Sequence, residues 1–162
     1  MASAPTTAAN QKEIFDLLIK QEVWTGQLYM TYQNLFPELD SFWGQFANEE
    51  NAHARLLSQL SGRIDNATWF FDPGKFNTVG LRTCCEHLRK QIQIACTEQV
   101  TLVRALATAM DVETSMIEKE FFRVATTDTS VGRMEFQTLS AETKEHGRRI
   151  AARLAEERAR LA

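Results

Sequence analysis

The stretch Trp43-Gly-Gln-Phe46-Ala-Asn-Glu49-Glu50-Asn-Ala-His53-Ala-Arg-Leu-Leu57-Ser-Gln-Leu60 sets Trp43, Phe46, Glu50, His53, Leu57 and Leu60 in strict three-four alternation. That alternation is the core seam of a bundled helix, so an acid and an imidazole stand where the pattern calls for apolar residues. Three other stretches repeat the anomaly. Phe15, Leu18, Glu22, Thr25 and Tyr29 share one stripe; Leu106, Met110, Glu113, Ile117 and Phe121 share another; Leu139, Glu142, His146, Ile150 and Leu154 form the last.

Around these stripes the chain reads as helix. Only three prolines and seven glycines interrupt it, and no alternating strand pattern lasts more than a few residues. The spacing predicts helices over about 10–35, from Asp40 or Ser41 as cap to about 60, over about 101–125, and from the polar turn 126–130 almost to the C-terminus. Residues 62–80 read as irregular. A shorter amphipathic stretch follows, with Leu81, Cys85, Leu88, Ile92 and Ala95 at helical spacing. Short connections make each pair of long helices an antiparallel hairpin, and the long middle connection is enough to travel the length of a bundle. The expected fold is all-α: a ferritin-like four-helix bundle of two antiparallel hairpins joined by a long crossover. Residues 10–161 form one domain in this reading, with 1–9 as a flexible N-terminus.

Bulk properties exclude several classes. A length of 162 residues suits one core. The net charge of −3 is spread along the chain, so neither nucleic acid nor an anionic membrane surface is indicated. The N-terminal stretch lacks the cationic and apolar regions of a signal peptide, and no apolar run approaches membrane-spanning length. Cys84, Cys85 and Cys96 are an odd set without a C-x-x-C, against a disulfide framework or a thiolate metal module. A cytoplasmic setting is expected.

The acids in the stripes recur as a unit. Glu22 precedes Glu50-x-x-His53 by 28 residues, and Glu113 precedes Glu142-Thr-Lys-Glu145-His146 by 29. Unpaired buried carboxylates cost several kcal/mol each, so four at one level would oppose folding unless cations offset them. Carboxylate-dominated ligation with one imidazole per metal suits iron or manganese better than structural zinc. The candidate ligands are Glu22, Glu50, His53, Glu113, Glu142 and His146, with Glu145 an alternative to His146 because three- and four-residue spacings both share a helix face. Tyr29, two turns after Glu22, is placed to bond a ligand carboxylate. Glu13, Glu49, Glu118, Glu120, Glu156 and Glu157 read as solvated, and His87 as an ordinary polar residue.

With these residues in place, the chain resembles the ferritin-like superfamily, and within it the di-iron domain of rubrerythrins. The family pattern is a glutamate on the first helix, E-x-x-H on the second, a glutamate on the third and E-x-x-H on the fourth. Glu22, Glu50 with His53, and Glu113 match directly, and Glu142 matches the fourth glutamate. Helix four departs from the pattern with E-x-x-E-H, Met116 stands where rubrerythrins carry an extra third-helix carboxylate, and no rubredoxin-type cysteine site is present. The resemblance implies two iron ions, with manganese as a substitute, that react with peroxide or dioxygen in an oxidoreductase or ferroxidase. It also implies a separate electron donor. A homodimer is expected from the usual burial of apolar surface between such bundles. Two alternatives are an iron-handling oligomer and a metal-free helical interaction module.

Overall fold

A computed structural model describes residues 8–64, 78–115 and 130–162. Among them there are five helices and no strand: α1 (Ala8–Leu35), α2 (Asp40–Ser61), α3 (Thr78–Thr97), α4 (Leu102–Glu113) and α5 (Ser130–Leu161). The chain is all-α, and its helices pack as a bundle. α1 lies along α2 and α3, α4 lies along α5, and the two sets meet where α2 touches α5 and α1 touches α4.

The α1–α2 hairpin turns where the sequence predicts. Phe36 is non-helical, and Pro37–Leu39 makes a single 3-10 turn with proline at its first position. The expected cap differs. α2 begins at Asp40 with Leu39 in the capping position and no side-chain cap. Asp40 instead accepts a hydrogen bond from the Gln33 amide at 2.9 Å, which ties the start of α2 back to α1, and its charge sits in the favourable first turn.

The sequence left open whether the shorter amphipathic stretch joins the helix after it, and the structure settles the matter. The amphipathic stretch near 81–97 is a separate helix, α3, which begins at Thr78 and buries Leu81, Cys85, Leu88 and Ala95. Its neighbour α4 starts afresh with Thr101 as N-cap, the hydroxyl accepting from the Arg104 amide at 3.2 Å. The helix expected over 101–125 is interrupted. α4 ends at Glu113, where both the backbone amide and the hydroxyl of Thr114 donate to the Met110 carbonyl, at 2.9 and 2.7 Å. The rest of that span, with Met116, Ile117, Glu118, Glu120, Phe121 and the turn 126–129, lies outside the described residues, as do 1–7 and 65–77.

Packing explains why α1 is buried more widely than one stripe. Because α2 and α3 flank it, Leu17, Gln21, Leu28 and Tyr32 are covered as well as Phe15, Leu18, Glu22, Thr25 and Tyr29. The core falls into two clusters. One holds Leu28, Tyr29, Tyr32, Trp43, Phe46, Leu106, Ala109, Ile150 and Leu154. The other holds Ile14, Phe15, Leu18, Leu57, Leu60, Leu81, Phe136 and Leu139. In sequence, the buried acids and imidazoles of α1, α2 and α5 lie between the members of the two clusters. All three cysteines are free, and no described helix is long and apolar enough to cross a membrane.

Leu57 is fully buried and Val79 is 68% exposed. Leu57→Ala should lower unfolding free energy by about 2–5 kcal/mol. Val79→Ala should change it by no more than about 0.5 kcal/mol, both read by urea denaturation.

Candidate metal centre

The four elements that carry the motif bring five ionisable side chains into the core: Glu22 from α1, Glu50 and His53 from α2, Glu113 from α4 and His146 from α5, each no more than 4% exposed. They form two overlapping sets, Glu22–Glu50–His53 and Glu50–Glu113–His146, in each of which one ligand atom per residue lies within 4.8 Å of the others. Glu50 belongs to both. Either set could hold a metal ion.

Two glycines lie beside the buried glutamates, with room for ordinary contact only. A side-chain carbon added at Gly26 on α1 would meet the Glu50 Cβ at 3.5 Å, and one at Gly147 on α5 would meet the Glu113 Cβ at 3.7 Å. Aromatic packing closes one side. The fully buried Phe46 ring stands edge-on to the His146 imidazole, with centroids 5.1 Å apart. The two imidazoles lie nearly parallel, 5.4 Å between centroids and 16° between planes. Tyr29, packed on Trp43 and Phe46, donates its hydroxyl to Glu113 Oε1 at 2.6 Å. That contact is the one proposed for it from spacing alone.

Each histidine faces inward with one nitrogen and outward with the other. His53 Nδ1 lies 3.3 Å from Glu50 and 3.7 Å from Glu22, while Nε2 lies 2.8 Å from Glu142. His146 Nδ1 lies 2.7 Å from Glu50 and 3.7 Å from Glu113, while Nε2 lies 2.9 Å from Glu49. The outer carboxylates are exchanged between hairpins: Glu49 of α2 braces the histidine of α5, and Glu142 of α5 braces the histidine of α2. Arg149 anchors Glu49 at 3.2 Å, and its guanidinium carbon sits 4.2 Å above the Phe46 ring.

This placement corrects three expectations. Glu142 does not enter the core; its side chain is 52% exposed, and the buried position one residue on belongs to Thr143. The core register of α5 runs Phe136, Leu139, Thr143, His146, Ile150, Leu154, so the helix turns Glu142 toward the rim. Glu145 is turned away and gripped by Arg148 at 2.5 and 2.8 Å, leaving His146 as the inward partner. Glu49, expected to be solvated, is a partner of His146 and Arg149. Glu157 also departs from a solvated reading. It is 3% exposed, covered by Arg160 and Arg153 on its own helix. Glu13 and Glu156 are exposed as expected and pair with Arg82 and Arg153. The roles of Glu49 and Arg149 were missed, although Glu49-x-x-x-His53 and Glu142-x-x-x-His146 repeat one spacing that signals the exchange.

Charge is rearranged within the cluster. Burial, and then the neighbouring Glu50 charge, push Glu22 well above the usual carboxylate range and Glu113 up to about 7. Burial alone would raise Glu50 too, but the close Glu22, His146 and His53 side chains outweigh it and hold Glu50 low. Burial opposes charge on both imidazoles. The nearby Glu22 and Glu50 carboxylates nevertheless raise His53 to about 12, and those of Glu113 and Glu50 raise His146 to about 10. A cation entering here therefore displaces protons.

No family model, curated protein or solved structure matches the chain.

In the metal-free fold His53, His146 and Glu113 retain protons that the unfolded chain has lost, and Glu50 titrates only below this interval. The Tm of chelator-treated protein should accordingly fall as pH rises from about 5 to about 9. Circular dichroism melts across that range check the sign.

Proposed function

We propose that this chain is a dinuclear metal protein of the ferritin-like, rubrerythrin-like kind, an oxidoreductase or ferroxidase that acts on peroxide or dioxygen. The observation that carries the reading is a set of orphaned atoms. Glu50 Oε1, His53 Nδ1 and His146 Nδ1 are buried and make no hydrogen bond, although Glu50 Oε1 and His146 Nδ1 are only 2.7 Å apart. Buried polar atoms are normally paired. Buried donor atoms this close that do not bond each other can serve as neighbouring ligands of one cation, and an oxygen–imidazole donor set suits iron or manganese.

Glu22 and His53 would hold one ion and Glu113 and His146 the other, with Glu50 shared. When bound, the two ions supply the redox chemistry for reduction of peroxide or dioxygen. The side chains supply the rest. A proton on His53 Nε2 donated to Glu142, and one on His146 Nε2 donated to Glu49, leave each Nδ1 lone pair directed inward. Tyr29 fixes the rotamer of Glu113 and keeps a phenolic proton on Glu113 Oε1. Phe46, Trp43 and Tyr29 keep water from one side. On the other, a cavity of about 190 Å³ bounded by Glu49, Ala52, His53, Glu142, Glu145, His146 and Arg149 gives a small reactant a route to both imidazoles. The two-hairpin arrangement with opposed carboxylates and histidines supports the ferritin-like reading. Electrons for turnover come from a separate donor in this proposal.

Iron or manganese content after anaerobic loading and desalting tests the centre. Wild type should retain about two ions per chain, one for each of the two side-chain sets. Glu50→Ala should retain none, since it is common to both sets, whereas Glu22→Ala and Glu113→Ala should each retain about one. Retention of two ions by Glu50→Ala would sink the proposal. The outer pair has its own signature: Glu49→Gln and Glu142→Gln should each weaken metal affinity by about 10–100-fold with the fold intact, measured by competition with a chelating dye.

A further inference from the structure

The two halves of the centre are related residue by residue, and one pair does not match. Glu22 corresponds to Glu113, His53 to His146, and Glu49 to Glu142. Glu50, one turn before His53 and shared by both sets, corresponds to Thr143, one turn before His146. Thr143 is buried, 2% exposed, on the core face of α5. Its side chain is neutral and ends one bond beyond Cβ, whereas a glutamate there would carry a charged carboxylate two bonds further.

The mismatch leaves the charge uneven. Glu22, Glu50 and Glu113 bring three negative charges to the two sets, and two divalent cations bring four positive ones. Glu142 is turned outward to His53 Nε2 at 2.8 Å, so it does not make up the difference. Unbalanced buried charge is costly. We infer that the buried Thr143, one turn before His146 where the other half carries Glu50, leaves the loaded centre open to one small external carboxylate, which takes the place a second shared side-chain carboxylate would fill. This inference rests on the metal reading above.

A cavity reaches the outer side of the two histidines. The cavity between α2 and α5 is bounded by both imidazoles and by the Arg149 guanidinium. The carboxylates at its mouth are already engaged, Glu49 by His146 and Arg149, Glu142 by His53, and Glu145 by Arg148. Ala52, the small residue preceding His53, contributes no bulk to the entrance.

The test uses the full chain loaded with cobalt(II), whose visible bands report changes among its ligands, titrated with acetate beside the metal-free chain. Loaded wild type should take up one acetate per chain, seen as shifted bands and as heat, and the metal-free chain none. Thr143→Glu should abolish the response while retaining cobalt, and Thr143→Val should keep it, since the inference uses the short neutral side chain rather than the hydroxyl. Cobalt uptake with no response to acetate would overturn the inference and leave the metal reading standing. A response confined to Glu142→Ala would overturn it too, by showing that Glu142 swings inward to fill the place. Absence of cobalt uptake would overturn both readings. The wild-type arms decide the matter even if Thr143→Glu does not fold.

Discussion

Five ionisable side chains buried in one layer of a small helical bundle are the constraint to which the rest of this structure answers. Isolated charges in such a place are prohibitive, and even paired ones rarely repay their desolvation. The chain meets the difficulty by mutual pairing. Glu50 is held charged by its neighbours, both histidines are held charged by Glu50, Glu22 and Glu113, and Tyr29 caps the carboxylate nearest the aromatic cluster. The pairing is incomplete, because three of the buried atoms point past one another. A bundle selected for stability alone would carry leucine at these positions.

The layer also joins the two hairpins. Among the described residues, the contacts of α2 with α5 and of α1 with α4 are small beside the long interfaces of α1 with α2 and of α4 with α5. Much of what crosses the divide is polar: Tyr29 to Glu113, Glu142 to His53, Glu49 to His146, Arg149 to Glu49. Each outer carboxylate belongs to one hairpin and its histidine to the other. Relative movement of the hairpins consequently changes both histidines at once. The Arg149 stack on Phe46 ties this bracing to the apolar core.

Much of this was legible in the sequence because it depends on period. The three-four seam of α2 named Trp43, Phe46, Glu50, His53, Leu57 and Leu60, and all six are buried. The stripes of α1 and α4 placed Glu22 and Glu113 in the core, and the polar anomalies in those stripes led to the buried cluster. The misplacement of Glu142 has a simple physical origin. In α5 the buried face steps from Leu139 by four to Thr143 and then by three to His146, and a reading that stepped by three and then four chose Glu142 instead. A helix seam drifts because 3.6 residues per turn matches neither step, and only packing against a neighbour decides which residue faces inward. Glu49 and Arg149 were invisible for a different reason: their roles arise between helices, and no periodicity within one helix encodes a cross-helix partner.

The division of the apolar core into two clusters has a consequence for how the bundle finds its alignment. A helix packed through a uniform apolar stripe can slide by one turn, about 5.4 Å, and still bury leucine against leucine. Here such a slip would carry Glu50 and His53 out of the layer and into the aromatic or aliphatic cluster on either side, stripping each charge of its partners. α1, α2 and α5 each contribute to both clusters, so none can shift alone. The buried polar layer therefore acts as a vernier: it costs stability, and in return it admits only one vertical register for the hairpins.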